Sequence, residues 1–277
     1  MTKTDFQNGR YETLLCDLPL PGVARITLNR PARLNAYTFA MTQDLQAAIA
    51  AYRDEDELRA LILTGGEKAF CAGGDISPAA EPEHRDRVRA QPMGYGREMR
   101  DGMQAVVAAL RRLDKPSLAM IQGYAVAGGL ALALACDFRF AAESAKLGDT
   151  SNKPGLLPDE GGAWLFPRAM GLDRALKMTL LSEVYDAPTA YDLGLVTEVV
   201  PDSGLEARCL SFCETLASRA PLAVRLTKMM MSRAADLSLE DSQAEAQVAV
   251  MIVNPSGDAR EGVRAFLEKR PPRFEGR

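Results

Sequence analysis

Residues 117–136 carry no charged side chain, and no other feature of the chain restricts its fold as much. A membrane span needs about 20 consecutive apolar residues. Here Gln122, Gly123 and the Gly128–Gly129 pair interrupt the run, and Lys115, Pro116 and Asp137 bracket it. The run therefore reads as a buried strand, a glycine loop and a helix buried on all sides.

The flanking pattern fits this reading. Residues 23–29 alternate as a strand, 31–35 form a turn, and Thr38 can cap a helix to about residue 52. A second strand covers 58–64 and ends at Gly65–Gly66. Strand–helix–strand order predicts a parallel or mixed sheet with crossover helices, an α/β fold. Residues 67–96, with several prolines and glycines, read as irregular, either a functional lid or partly disordered. Further helices are expected at 97–113, 128–135 and 173–181, and strands at 118–122, 138–141 and 195–200. Residues 148–167 are rich in glycine and proline. After Gly204 the pattern is almost all helical, with Pro221 at a helix start. The expected organisation is an α/β body over residues 1–200 and a helical region over 201–277.

Composition removes several functions. Of 277 residues, 33 are Lys or Arg and 37 are Asp or Glu, so the net charge of −4 argues against a general nucleic-acid binder. A single histidine, His84, leaves no multi-histidine metal site, and no metal is expected. A Ser-His-Asp triad would have to use His84, and no GxSxG elbow accompanies it. Among Glu81, Glu83, Arg85, Asp86 and Arg87, His84 reads as a solvated loop residue. The five cysteines include no CxxC pair and read as buried reduced thiols. Residues 1–11 contain no apolar signal core, so the expected location is cytoplasmic.

Two glycine segments carry the chemistry. The first, AFCAGGDI at residues 69–76, follows a strand. The second, GYAVAGGLA at residues 123–131, lies between a strand and a helix. Glycines let backbone approach a ligand closely, and a helix start offers unpaired N–H groups and a positive dipole end. Such groups can cradle a developing oxyanion. Each segment taken alone could equally be a tight turn or a close packing contact.

Together with NRPARLNA at 29–36, Cys136-Asp137 and EGVRAFLEK at 261–269, these segments resemble the crotonase family of enoyl-CoA hydratases and isomerases over nearly the whole chain. The resemblance implies a spiral of repeated ββα units with a C-terminal helical region that builds homo-trimers or hexamers. The implied ligand is an acyl-CoA thioester, with CoA arriving as part of the substrate and no separate cofactor. The thioester oxygen is expected between the N–H groups of Ala72 and Gly128. Gly73, Gly74, Asp75 and Ile76 are expected beside it, and Arg33 and Lys269 at the nucleotide end of CoA. Trp164 is expected near the acyl pocket, with Met93, Met99 and Met103 as further candidates for its lining. Residues 76–96 are expected to select the acyl group.

The departures from the family pattern bear on the reaction. The two glutamates of typical hydratases fall on Ala131 and Ser151, and neither side chain replaces a carboxylate. The stretch GLLPDEGGAW at 155–164 instead resembles the isomerases, in particular the epoxyphenylacetyl-CoA isomerase type. Asp159 stands where those enzymes carry their proton-transferring aspartate. Adjacent Glu160 is a lesser candidate, expected to point elsewhere, toward solvent. The resemblance thus implies enoyl-CoA isomerisation. A divergent hydratase, hydrolase or carbon–carbon lyase using Asp159 or Glu160 with water is an alternative, as is a silent acyl-CoA-binding or RNA-binding relative.

Overall fold

The uncharged run folds as two strands and a helix, because its central glycines let the chain step from one sheet to another. The computed structural model describes residues 6, 7 and 9–277. The chain opens with β1 (Leu14–Leu20) and β2 (Val23–Leu28), followed by α1 (Phe39–Asp54), β3 (Ala60–Thr64) and β4 (Ala69–Cys71). Next come α2 (Pro82–Ala90), α3 (Gly94–Asp101) and α4 (Met103–Arg112). The uncharged run supplies β5 (Ser117–Ile121), β6 (Tyr124–Val126) and α5 (Gly128–Ala135). Then follow β7 (Phe138–Ala142), β8 (Lys146–Gly148), α6 (Gly162–Met170), α7 (Leu172–Leu181), β9 (Val184–Asp186), α8 (Ala187–Asp192) and β10 (Glu198–Val200). The chain ends in α9 (Leu205–Ala217), α10 (Pro221–Ala234), α11 (Leu239–Val253) and α12 (Gly257–Leu267).

One sheet has the order β1-β2-β3-β5-β7-β10, and a smaller one the order β4-β6-β8-β9. From β2 to β10 the large sheet is parallel, and β1 closes it antiparallel. The successive pairs β3–β4, β5–β6 and β7–β8 each place one strand in each sheet, with helices after each pair. This is the ββα spiral that the resemblance implied. The parallel strands β3 and β5 are buried along their whole length, which explains their unbroken apolar sequences.

Every residue of α5 is buried, so the helix has no polar face. It packs against β4 at very short range. A side chain on Gly129 would overlap the Cys71 carbonyl oxygen, and one on Gly123, at φ +60°, would come within 2.8 Å of the Ala69 nitrogen. Thr38 caps α1 as expected, its Oγ1 accepting from the Met41 N–H at 3.3 Å.

Residues 67–96 are more ordered than their sequence suggests, containing β4, α2 and the start of α3. Helix α2 was hidden because only Val88 of its nine residues is buried, leaving no apolar stripe to read. Its histidine is not a loop residue: His84 stacks on Phe39 with ring centroids 4.4 Å apart and lies 3.0 Å from Glu98 Oε1. Gly102 splits the helix expected at 97–113 into α3 and α4. Part of the segment at 148–167 is helical, as the start of α6.

Helix α9 buries Leu205, Cys209, Cys213 and Ala217 against the large sheet and completes the body. Helices α10 to α12 lie outside it, tied down by ion pairs such as Lys228–Asp137 at 2.6 Å and Arg225–Asp114 at 2.6 Å. Leu239, Val248, Met251, Phe266 and Leu267 stand exposed on α11 and α12. Among the described residues no helix is long and apolar enough to cross a membrane.

Gly129→Ala tests the close approach of α5. The alanine gains about 0.5–1 kcal/mol of helix preference, but the overlap with a backbone carbonyl costs about 1–3 kcal/mol or more. The expected outcome in urea unfolding is a net loss of stability; an unchanged or raised midpoint would contradict it.

Candidate active site

The turn at residues 30–37 is fastened along the first glycine segment. Asn35, buried and at φ 54°, donates from Nδ2 to the Ala69 carbonyl at 2.9 Å and accepts the Arg30 N–H at 2.9 Å. The Tyr37 N–H donates to the Gly73 carbonyl at 2.9 Å, and the Asp75 N–H to the Tyr37 carbonyl at 2.8 Å. Asp75 receives Arg30 at 2.9 Å and Arg33 at 3.2 Å. Burial alone would raise its carboxyl, but hydrogen bonds from Arg33, Ser77 and Arg30 outweigh that and hold it well below the usual carboxylate range.

The two glycine segments meet at Gly73. A Cβ there would lie 3.0 Å from Ala127 Cβ and 3.5 Å from the Gly128 nitrogen, and φ is +91°. Ala127 itself sits at φ 50°, ψ −127°, a strained conformation for a residue with a side chain. Its carbonyl accepts the N–H groups of Leu130 and Ala131. Among the described residues nothing accepts the Gly128 N–H. Ala72 differs: its N–H donates to the Leu34 carbonyl at 3.1 Å. Of the two amides expected to hold the thioester oxygen, one is engaged by the turn.

A cavity of about 390 Å³ opens at this junction. Ala72, Gly74, Asp75, Ile76, Ala127, Ser151, Asp159 and Glu160 all contribute to its wall. Val88, Tyr95, Met99 and Met103 line it from α2, α3 and α4, so residues of the expected lid do face the site. Met93, 81% exposed, does not line it.

Glu160 reverses its expectation. It is buried, 6% exposed, and Tyr37 Oη donates to its Oε1 at 2.6 Å. A side chain on Gly128 would overlap this same Oε1 and come within 2.7 Å of Tyr37 Cε1. The carboxyl group therefore lies against the first turn of α5. Its Oε2 is buried without a hydrogen-bond partner. Burial is the main cause that pushes its pKa up to about 7, against the hydrogen bond from Tyr37; the charges of Asp159 and Asp149 add to the rise. Asp159 is the more exposed of the pair, and desolvation raises its carboxyl as well.

Ala131 and Ser151, where the resemblance implied the hydratase glutamates, offer no carboxylate. Ala131 is fully buried inside α5. Ser151 faces the cavity, but its hydroxyl donates to Asp149 Oδ1 at 2.6 Å. Trp164 does not reach the cavity. It lies in a separate cleft between the body and the C-terminal helices, with the Arg168 guanidinium 3.9 Å from its ring centre. Lys269 is exposed at the end of α12 and also lies outside the cavity wall. Tyr37 was missed by the sequence reading; the available signal was a tyrosine directly after the NRPARLNA turn.

A family model described as enoyl-CoA hydratase/isomerase matches residues 21–277. The chain belongs to the enoyl-CoA hydratase/isomerase family. It is 37% identical over 255 residues to (E)-benzylidenesuccinyl-CoA hydratase of Thauera aromatica, covering 92% of this chain and 96% of that protein. It is 34% identical over 260 residues to 1,2-epoxyphenylacetyl-CoA isomerase of Escherichia coli, again covering 92% and 96%. The crystal structure of an enoyl-CoA hydratase from Bacillus anthracis superimposes with a TM-score of 0.88 at 34% identity, covering 96% of this chain and 100% of that one. As a member of this family the chain is an acyl-CoA enzyme, and its relatives include both hydratases and isomerases.

Glu160 makes stability depend on pH. Its folded-state pKa lies above the ordinary value of 4.5, so the native state binds the proton more tightly than the unfolded chain does. The associated stability is complete below about pH 4.5 and is lost as pH rises through 7. At about 1.4 kcal/mol per pKa unit the loss is on the order of 3 kcal/mol. Glu160→Gln removes this titration. Between pH 5 and 8 the wild-type melting temperature should fall relative to that of the variant; parallel curves would show that Glu160 does not titrate in this range.

Proposed function

We propose that the protein isomerises the double bond of an enoyl-CoA, with Asp159 as the proton-transferring group. The supporting observation is that Asp159 shares one cavity wall with Ala72 and Ala127, while Ala131 and hydrogen-bonded Ser151 offer no carboxylate. Asp159 takes the C2 proton of a 3-enoyl thioester. The C–H pair moves into the C1–C2 bond, and the carbonyl pair moves onto oxygen. Neutral Asp159 returns the proton at C4, the carbonyl re-forms, and the double bond lies between C2 and C3. The Gly128 N–H, at the start of α5, holds the oxygen while it is negative. The Ala72 N–H, the other donor that the resemblance implied, is held by the Leu34 carbonyl at 3.1 Å. Arg33, beside Asp75 at the cavity edge, serves the phosphates of CoA, and the chemistry draws on no metal or redox cofactor.

Hydration is the second reading. It is favoured by a second carboxyl group, Glu160, in the same cavity and by relatives named as hydratases. Two carboxyls in unequal surroundings can divide the acid and base roles around a water. Parallel assays with 3-hexenoyl-CoA and crotonyl-CoA separate the two. Isomerisation of the first with slow hydration of the second is expected, and efficient crotonyl-CoA hydration would overturn the preference.

Asp159→Asn keeps the shape of the side chain and removes its base. Turnover of 3-hexenoyl-CoA should drop by about 10²- to 10⁴-fold, while thioester binding persists. Unchanged turnover would reduce Asp159 to a bystander.

The exposed apolar residues of α11 and α12 support assembly into a trimer or hexamer, in which Lys269 reaches CoA bound by a neighbouring copy. Light scattering at micromolar concentration should give three or six times the chain mass, and a monomer would refute the assembly.

A further inference from the structure

We infer that Glu160, oriented by Tyr37, acts as a neutral hydrogen-bond donor to the thioester oxygen at Gly128. The inference rests on the enolate reading above and assigns Glu160 a role other than proton transfer to carbon. Four observations carry it. The Glu160 carboxyl lies against Gly128, where only a glycine leaves room for it. Tyr37 Oη donates to Oε1, which leaves Oε2 as the atom that can hold the acid proton. Oε2 is buried and has no hydrogen-bond partner among the described residues, so an acid proton there is committed to no protein group. The Ala72 amide, the expected second donor, is bonded to Leu34.

The titratable groups that face Glu160 favour its neutral form or leave it intact. Asp159 and Asp149, after β8, oppose a further negative charge, and Cys71 of β4 is a buried thiol whose pKa is raised to about 12. Tyr37 and the start of α5 act the other way, favouring the anion. Burial prevails, and near pH 7 a large fraction of Glu160 is protonated. A carboxylic acid kept neutral by an apolar site can polarise a carbonyl in this manner. Tyr37 is then a positioning residue: it occupies Oε1 and leaves the acid proton to Oε2.

The test uses the whole protein with 2,4-hexadienoyl-CoA, whose ultraviolet band moves to longer wavelength when donors polarise the thioester oxygen. In the wild type the shift should fade as pH rises through about 7, where Glu160 ionises. In Glu160→Gln, whose amide also donates, it should persist without that pH dependence. Glu160→Ala should weaken it at every pH. In Tyr37→Phe the midpoint should move to higher pH, because a hydrogen bond that favours the anion is gone. Turnover of 3-hexenoyl-CoA should fall about 10²- to 10³-fold in the alanine variant and no more than about tenfold in the glutamine variant. A wild-type shift that ignores pH, or one that survives Glu160→Ala, overturns the donor role. A Tyr37→Phe midpoint equal to wild type overturns the positioning role. A glutamine variant as inactive as Asp159→Asn makes Glu160 a proton-transfer group instead. If the alanine variant fails to fold, the pH response of the glutamine variant still decides. The expected band shifts without any turnover of 3-hexenoyl-CoA would keep the donor and remove the isomerase reading.

Discussion

A helix can begin against the carbonyl groups of a neighbouring strand only where no side chain stands between them. The contact of α5 with β4 depends on that condition. Gly129 lets the helix approach the Cys71 carbonyl, and Gly128 leaves the space that Glu160 and Tyr37 fill. The same approach brings Ala127 and Gly73 together and sets the floor of the cavity. It also fixes the polarity of the site, because the first N–H groups of α5 and the positive end of its dipole face this junction. The uncharged composition of α5 follows from the same geometry, since a helix enclosed on every side has nowhere to place a charged residue.

The electrostatics of the site are a contest between enclosure and hydrogen bonding, decided differently for three of its carboxyl groups. Asp75 is deeply set, yet two arginines and Ser77 outweigh the burial, and it remains ionised as an anchor for the turn. Glu160 is also enclosed, and the hydrogen bonds from the Tyr37 phenol and from its own backbone do not outweigh the burial. Asp159 is closer to solvent and is raised by desolvation alone among the effects that favour its neutral form. Asp159 and Glu160 thus stand side by side in unlike surroundings.

Much of this molecule was legible in one dimension. The alternation at β2, the apolar blocks at β3 and β5, the Thr38 cap and the enclosed helix after Gly128 follow from local rules of periodicity and capping. The motifs placed Ala72, Asp75, Ile76 and Asp159 in one site because each is fixed by a short backbone turn near its own strand or helix. Helix α2 was not legible, since a charged helix covering a pocket has almost no buried face to announce it. The direction of Glu160 was not legible either. Neighbours in a turn often diverge, and only the packing of Tyr37 and Gly128 shows that this carboxyl turns inward while Asp159 is more exposed.

The sequence by itself determined the family and the spiral of paired strands, because these depend on residue identity at fixed spacing. The tertiary structure alone decided the partners of each polar group: that Leu34 engages the Ala72 amide, that Tyr37 holds Glu160 at the start of α5, and that Trp164 faces a different cleft. Those are contacts between residues far apart in the chain, and hydrogen bonding and desolvation act through space, where spacing in the chain carries no information about them.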